Sequence, residues 1–163
     1  AFGCPYEGLV AEKKVIELAS KFIKLGIYEL VLGDTIGVAN PAQVKSLLKK
    51  LFRVVPKSKV ALHFHDTRGT ALANVLASLE LGVRTFDSSY GGLGGCPYAK
   101  GASGNLATDD LVYMLEGMGL KTGVNLEKLL SYGASVQSWV GHKLPSRTLE
   151  AGLPNPRNFP TNL

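Results

Sequence analysis

The sequence predicts an α/β protein with a parallel sheet, laid out as part of a TIM-type (β/α) barrel. Three observations carry this expectation. Short β-like runs alternate with amphipathic helices, and the runs begin near Tyr28, Lys59 and Val83, the rhythm of βαβ units with right-handed crossovers. Polar residues stand where each run ends: Cys4, Asp34, His63 with His65, and a glycine-rich loop after Ser88. Chemistry at the carboxyl ends of successive parallel strands is the barrel arrangement, whereas an open doubly wound sheet gathers it at one crevice. A complete barrel needs eight strands and roughly 250 residues. Three strands and the end of a fourth in 163 residues amount to about half of one.

Taken in order, residues 8–25 carry Val15, Leu18, Ala19, Phe22 and Leu25 at helical spacing, with Gly26 as a stop. A strand over 28–32 runs into Gly33-Asp34-Thr35. Asn40-Pro41 then supplies an N-cap and a proline at the first helical position, before a stripe of Val44, Leu47, Leu48 and Leu51. The next strand covers 59–65, and Leu72, Val75, Leu76 and Leu79 stripe the helix after it. A strand over 83–88 enters the glycine loop. Helices are expected over about 108–118 and 125–140. Residues 1–141 therefore read as the half-barrel, and 142–163, with four prolines and little periodicity, as an irregular extension.

Hydrophobic residues at 45% and charged residues at 19% are ordinary for a soluble globular domain. No apolar run approaches the roughly 20 residues of a membrane span. The start, Ala1-Phe2-Gly3-Cys4-Pro5, lacks a basic stretch leading into an apolar one, so no secretory signal is expected, and without an initiator Met it reads as a processed chain or a segment of a longer one. Two cysteines make no disulfide framework, which favours a reducing compartment. The net charge is +5, densest at Lys45, Lys49, Lys50, Arg53, Lys57 and Lys59. That patch reads as a solvated helix face, and the aromatics are not interleaved as nucleic-acid binding requires. A polyanionic small molecule, such as a nucleotide-bearing thioester, stays compatible.

The glycine loop is the most informative stretch. Six glycines fall within residues 91–105, and they suit positive φ or close backbone approach rather than core packing. Cys96 lies near its centre: either an inert thiol or, in a mobile reactive loop, a general acid with a pKa of roughly 8.5. His63-Phe64-His65 alternates, so both imidazoles share one face. Two satisfied histidines are one reading; a pair of ligands for a divalent cation is the other, and Asp66 just beyond could orient an imidazole. Asn105 reads as a loop cap or a carbonyl-oxygen ligand joining them. Asp34 is a turn former or a carboxylate that positions a catalytic His. Cys4 and His142 carry no defined role.

These motifs converge on a family. Gly92-Leu93-Gly94-Gly95-Cys96-Pro97-Tyr98-Ala99-Lys100-Gly101-Ala102-Ser103-Gly104-Asn105 closely resembles the catalytic loop of hydroxymethylglutaryl-CoA lyases. Gly33-Asp34-Thr35-Ile36-Gly37, His63-Phe64-His65-Asp66-Thr67 and Asp110-Leu111-Val112-Tyr113-Met114-Leu115-Glu116-Gly117 are similar to the same family, over about residues 2–132. The resemblance implies strands 5–8 of the barrel, with His63, His65 and Asn105 as ligands of Mg²⁺ or Mn²⁺. It also implies Cys96 as the catalytic thiol and Asp34 close to the acid/base machinery, with His63 the base. An Arg-Asp pair and an acidic residue on earlier strands have no match here. The implied reaction is retro-Claisen cleavage of a CoA thioester, 3-hydroxy-3-methylglutaryl-CoA, to acetyl-CoA and acetoacetate, with this chain inactive alone. A homodimer, or association with the missing amino-terminal half, is the implied assembly. Cytoplasmic or mitochondrial-matrix residence is expected according to a bacterial or eukaryotic source. An aldolase or condensing enzyme on the same barrel, or a non-catalytic associating half, are the alternatives.

Overall fold

A computed structural model describes residues 1–95 and 104–155. A short antiparallel hairpin, β1 (Gly3–Cys4) and β2 (Gly8–Leu9), precedes α1 (Glu12–Lys24). Three parallel strands follow, β3 (Leu30–Asp34), β4 (Val60–Phe64) and β5 (Thr85–Asp87), joined by α2 (Pro41–Leu51) and α3 (Ala71–Glu80). Then come α4 (Thr108–Gly117), α5 (Leu126–Ser131), α6 (Gly133–Val140) and α7 (Arg147–Ala151).

β4 is the centre of the sheet. Val60, Ala61, Leu62 and Phe64 are all buried, the continuous apolar run of a strand covered on both faces. Its register sets Asp34 beside Phe64 and His63 beside Asp87. Among the described residues the sheet does not close, and Val31 on β3 is 47% exposed. The architecture is α/β.

Helix α2 forms as its sequence directs. Asn40 accepts from the Ala42 and Gln43 N–H groups, Gln43 reaches back to the Asn40 N–H, and Val44, Leu47, Leu48 and Leu51 are buried. Helix α3 departs from its expected stripe. Its buried face is Ala71, Asn74, Val75, Ala77 and Ser78, while Leu76 is exposed. Small and polar residues face inward because α3 is pinned to the loop before α2. The Asn74 amide and Thr70 hydroxyl both donate to the Ala39 carbonyl, and the Ser78 hydroxyl bonds back to the Asn74 carbonyl.

Three further expectations are corrected. Cys4 does not end a strand of the parallel sheet; it pairs with Gly8 in the hairpin, while the residues before it meet the sheet, the Ala1 ammonium donating to Gly33 O at 2.7 Å and the Phe2 ring lying against Phe64. The helix expected over 125–140 is two helices, the Tyr132 N–H reaching three residues back to Leu129 before α6 restarts at buried Gly133, where any side chain would collide with Leu149 of α7. The tail is not wholly irregular: Ser146 caps α7 by accepting from the Leu149 N–H. Asp110 on α4 holds the same turn, accepting from the Ser146 hydroxyl and the Arg147 and Thr148 N–H groups at 3.0, 3.2 and 2.7 Å.

Candidate metal and active site

The site is built at the carboxyl ends of β3, β4 and β5. Alternation along β4 sends Phe64 into the core, where its ring lies 6.1 Å from that of Phe2. His63 and the next-but-one residue, His65, therefore share the opposite face. Their ring centroids are 5.2 Å apart and tilted by 51°.

Asn105 reaches this rung by backbone pairing rather than by loop chance. The Leu106 N–H donates to Phe64 O and the Asp66 N–H to Gly104 O, which makes His65 and Asn105 antiparallel bridge partners. The Asn105 amide nitrogen donates to Leu93 O at 2.8 Å, leaving its Oδ1 turned the other way. That oxygen and His65 Nδ1 are buried without a hydrogen-bond partner among the described residues. Bare buried acceptors are costly. Two imidazoles and an amide oxygen with unused lone pairs fit a divalent cation as three neutral donors. Among the described residues, no group of three or more His, Cys, Asp or Glu side chains is arranged to hold a metal.

The His65 ring is held below the ordinary imidazole range, first by burial and then by the neighbouring His63, with Asp34 opposing. Both effects favour the neutral ring, the form that coordinates. His63 is more open, and its Nδ1 lies 3.3 Å from Asp87 Oδ2. Sequence reasoning missed Asp87, although it lies within the strand expected over 83–88; only the β4–β5 register brings it to His63. Asp66, expected to orient an imidazole, accepts through its Oδ1 from the Ala71 N–H at the start of α3. Asp34 is buried, and its two oxygens accept from the Val38 and Ala39 N–H groups at 2.9 and 3.0 Å. It shapes the loop before α2 and lies close enough for its charge to be felt at His65.

Cys96 lies outside the described residues. Both flanks of its loop are fixed. The buried Asp109 carboxylate accepts from the Gly91 N–H at 2.8 Å, and the Ser89 hydroxyl donates to Leu93 O. Gly91, Gly92, Gly94 and Gly104 all have positive φ, as the glycine content predicts. At Gly104 (φ 101°) a β-carbon would land inside the envelopes of Gly92 O and Gly94 O. Beside Asn105 opens a polar cavity of about 400 Å³, lined in part by Asp66, Thr67, Arg68, Asp110 and Arg147.

A family profile described as HMGL-like matches residues 1–136. The human mitochondrial hydroxymethylglutaryl-CoA lyase is 54% identical over 151 residues, which is 93% of this chain and 46% of the human protein. A crystal structure of the Bacillus subtilis HMG-CoA lyase superposes with a TM-score of 0.89 at 57% identity, covering 92% of this chain and 50% of that one. A structure of an HMG-CoA lyase from Acinetobacter baumannii, in complex with coenzyme A and 3-methylmalate, gives 0.87 at 46% identity, covering 93% and 50%. The chain spans about half the length of the curated relatives it matches.

Proposed function

The chain belongs to the HMGL-like family, and on that premise we propose that it supplies strands 5–8 of a (β/α) barrel that cleaves 3-hydroxy-3-methylglutaryl-CoA to acetyl-CoA and acetoacetate. The observation that supports this reading is the backbone bridge between His65 and Asn105, each of which carries a buried polar atom without a hydrogen-bond partner among the described residues, with the His63 ring 5.2 Å from that of His65. His63, His65 and Asn105 would hold the divalent ion, Mg²⁺ or Mn²⁺. When bound, it supplies Lewis-acid charge at the substrate's hydroxyl and carboxylate oxygens.

The chain's own residues handle the protons. His63 takes the C3 hydroxyl proton; as the C3–O⁻ collapses to the ketone, the C2–C3 bond breaks and its electron pair passes into the thioester enolate. The Cys96 thiol returns a proton to that carbon. Asp34 holds the adjacent loop through the Val38 and Ala39 N–H groups, and its negative charge is felt at His65. One lone pair cannot serve a cation and a proton together, so His63's two roles belong to different moments of turnover.

The exposed edge of β3 supports association. Val31 lies beside a groove of about 380 Å³ shared with Leu18 and Phe22 of α1. Three parallel strands leave ladder groups open there, which a complementary half or a second copy would satisfy. Two units make up this chain in the proposal, the half-barrel over 1–141 and an extension over 142–163.

The test is reconstitution. Substrate and Mg²⁺ added to the chain alone should yield no acetoacetate. Joined to an amino-terminal half from a relative, the chain should turn over, and Cys96→Ala should remove nearly all of that rate. A reconstituted barrel that cleaves a different thioester or oxo-acid supports the aldolase or condensing alternative instead. An unchanged rate in Cys96→Ala overturns the acid role.

A further inference from the structure

The two imidazoles of the site are not equivalent. The Nδ1 of His65 is buried and bare, whereas that of His63 faces a carboxylate at 3.3 Å. The difference comes from the sheet. His63 and Asp87 are register partners on adjacent parallel strands, so their side chains project from the same face. Asp87 is the last residue of β5, at the mouth where the cation-binding groups gather.

An ionised carboxylate only accepts hydrogen bonds, so the proton between the two groups belongs to His63 Nδ1. A neutral imidazole protonated there has its single lone pair on Nε2. We infer that Asp87 is a positioning residue that fixes the tautomer and tilt of His63, so that Nε2 is always the atom presented to the cation. The same lone pair then serves as the base when the cation does not hold it. This inference rests on the reading of His63 as a metal ligand.

The pair contributes little to folding. Its side chains are 31% and 48% exposed, and ion pairs this open to solvent are weak. Its effect therefore falls on the ring. A carboxylate behind a ligating imidazole both orients it and raises its basicity, and losing one weakens metal affinity by about 10- to 100-fold.

The experiment uses the 163-residue chain with Mn²⁺ as the probe, bound metal being read from the loss of the free-ion electron paramagnetic resonance signal. Nitrogen-15 spectra of the histidine rings report the tautomer. In the unaltered chain, neutral His63 should carry its proton on Nδ1. In Asp87→Ala the unfolding midpoint should stay in place, the proton should move toward Nε2, and Mn²⁺ affinity should fall by about 10-fold or more. Asp87→Asn keeps an acceptor oxygen and should lie between the two. If His63→Ala weakens Mn²⁺ binding and Asp87→Ala does not, the positioning role is wrong while the ligand reading stands. His63 protonated on Nε2 in the unaltered chain overturns the role as well. Mn²⁺ binding that is absent, or indifferent to His63→Ala, overturns the ligand reading and this inference with it.

Discussion

Replacing Gly104 with alanine is the sharpest test of how Asn105 is placed. Gly104 has φ of 101°, where an L side chain is strained by about 1–2 kcal/mol. Its added methyl also meets two backbone oxygens, Gly92 O and Gly94 O, which no rotamer change can move. Relief requires the segment of residues 104–106 to part from residues 92–94. That movement breaks the Asn105 amide bond to Leu93 O and loosens the Asp66 N–H bond to Gly104 O. Each contributes roughly 0.5–1.5 kcal/mol. Together the terms reach about 2–5 kcal/mol, a large part of the 5–15 kcal/mol typical of a folded domain. With a urea m-value of about 2 kcal/mol/M, the midpoint should fall by roughly 1–2.5 M. Gly95→Ala is the control: a β-carbon there meets nothing within 4 Å among the described residues, and its change should stay within about 0.5 kcal/mol. If Gly104→Ala unfolds within that same margin, the close approach of the two flanks is not what holds Asn105.

Two other perturbations follow from the geometry. His65 is held below the ordinary 6.5, so the folded chain binds fewer protons than the unfolded one between those two values. Stability should fall as pH drops from 7 through 6.5 toward His65's lowered value, and His65→Gln should flatten that part of a urea-denaturation pH series. Asp66 acts with the opposite sign in a lower range: burial raises its carboxyl above the ordinary 3.8, and the contribution of its proton is lost as pH rises. Asp110→Ala leaves the α7 turn without the acceptor for two N–H groups and the Ser146 hydroxyl. A loss of about 1–3 kcal/mol is expected, with faster tryptic cleavage at Lys143 and Arg147; unchanged cleavage would show that Asp110 does not hold this turn.

Local signals were legible in the sequence and register was not. The apolar run of β4, the shared face of His63 and His65, the Asn40 cap and the α2 stripe each depend on residues a few positions apart. The glycines predicted positive φ at both flanks of the glycine-rich loop. Asp87 beside His63 depends on how β5 slides against β4, and Asp110 beneath Ser146 depends on α4 meeting a segment 36 residues away. Neither distance appears in any window of the chain. The α3 stripe misleads for a related reason, since Asn74 and Ser78 are buried where their polar groups find carbonyl partners, and hydrophobic periodicity cannot anticipate that. α7 did leave a trace: Pro145 and Ser146 ahead of helix-forming residues are a start signal overlooked among the prolines.

The crossing of Gly104 over the carbonyls of Gly92 and Gly94 has a bearing on the loop it closes. It works like a drawstring, holding the two flanks together at residues 92–94 and 104. Doubling a loop closed at such a neck adds only about 0.6 kcal/mol of closure entropy. The length of the sequence between the two flanks therefore bears little on the neck, and Asn105 just beyond it is held to His65 by backbone pairing of its own.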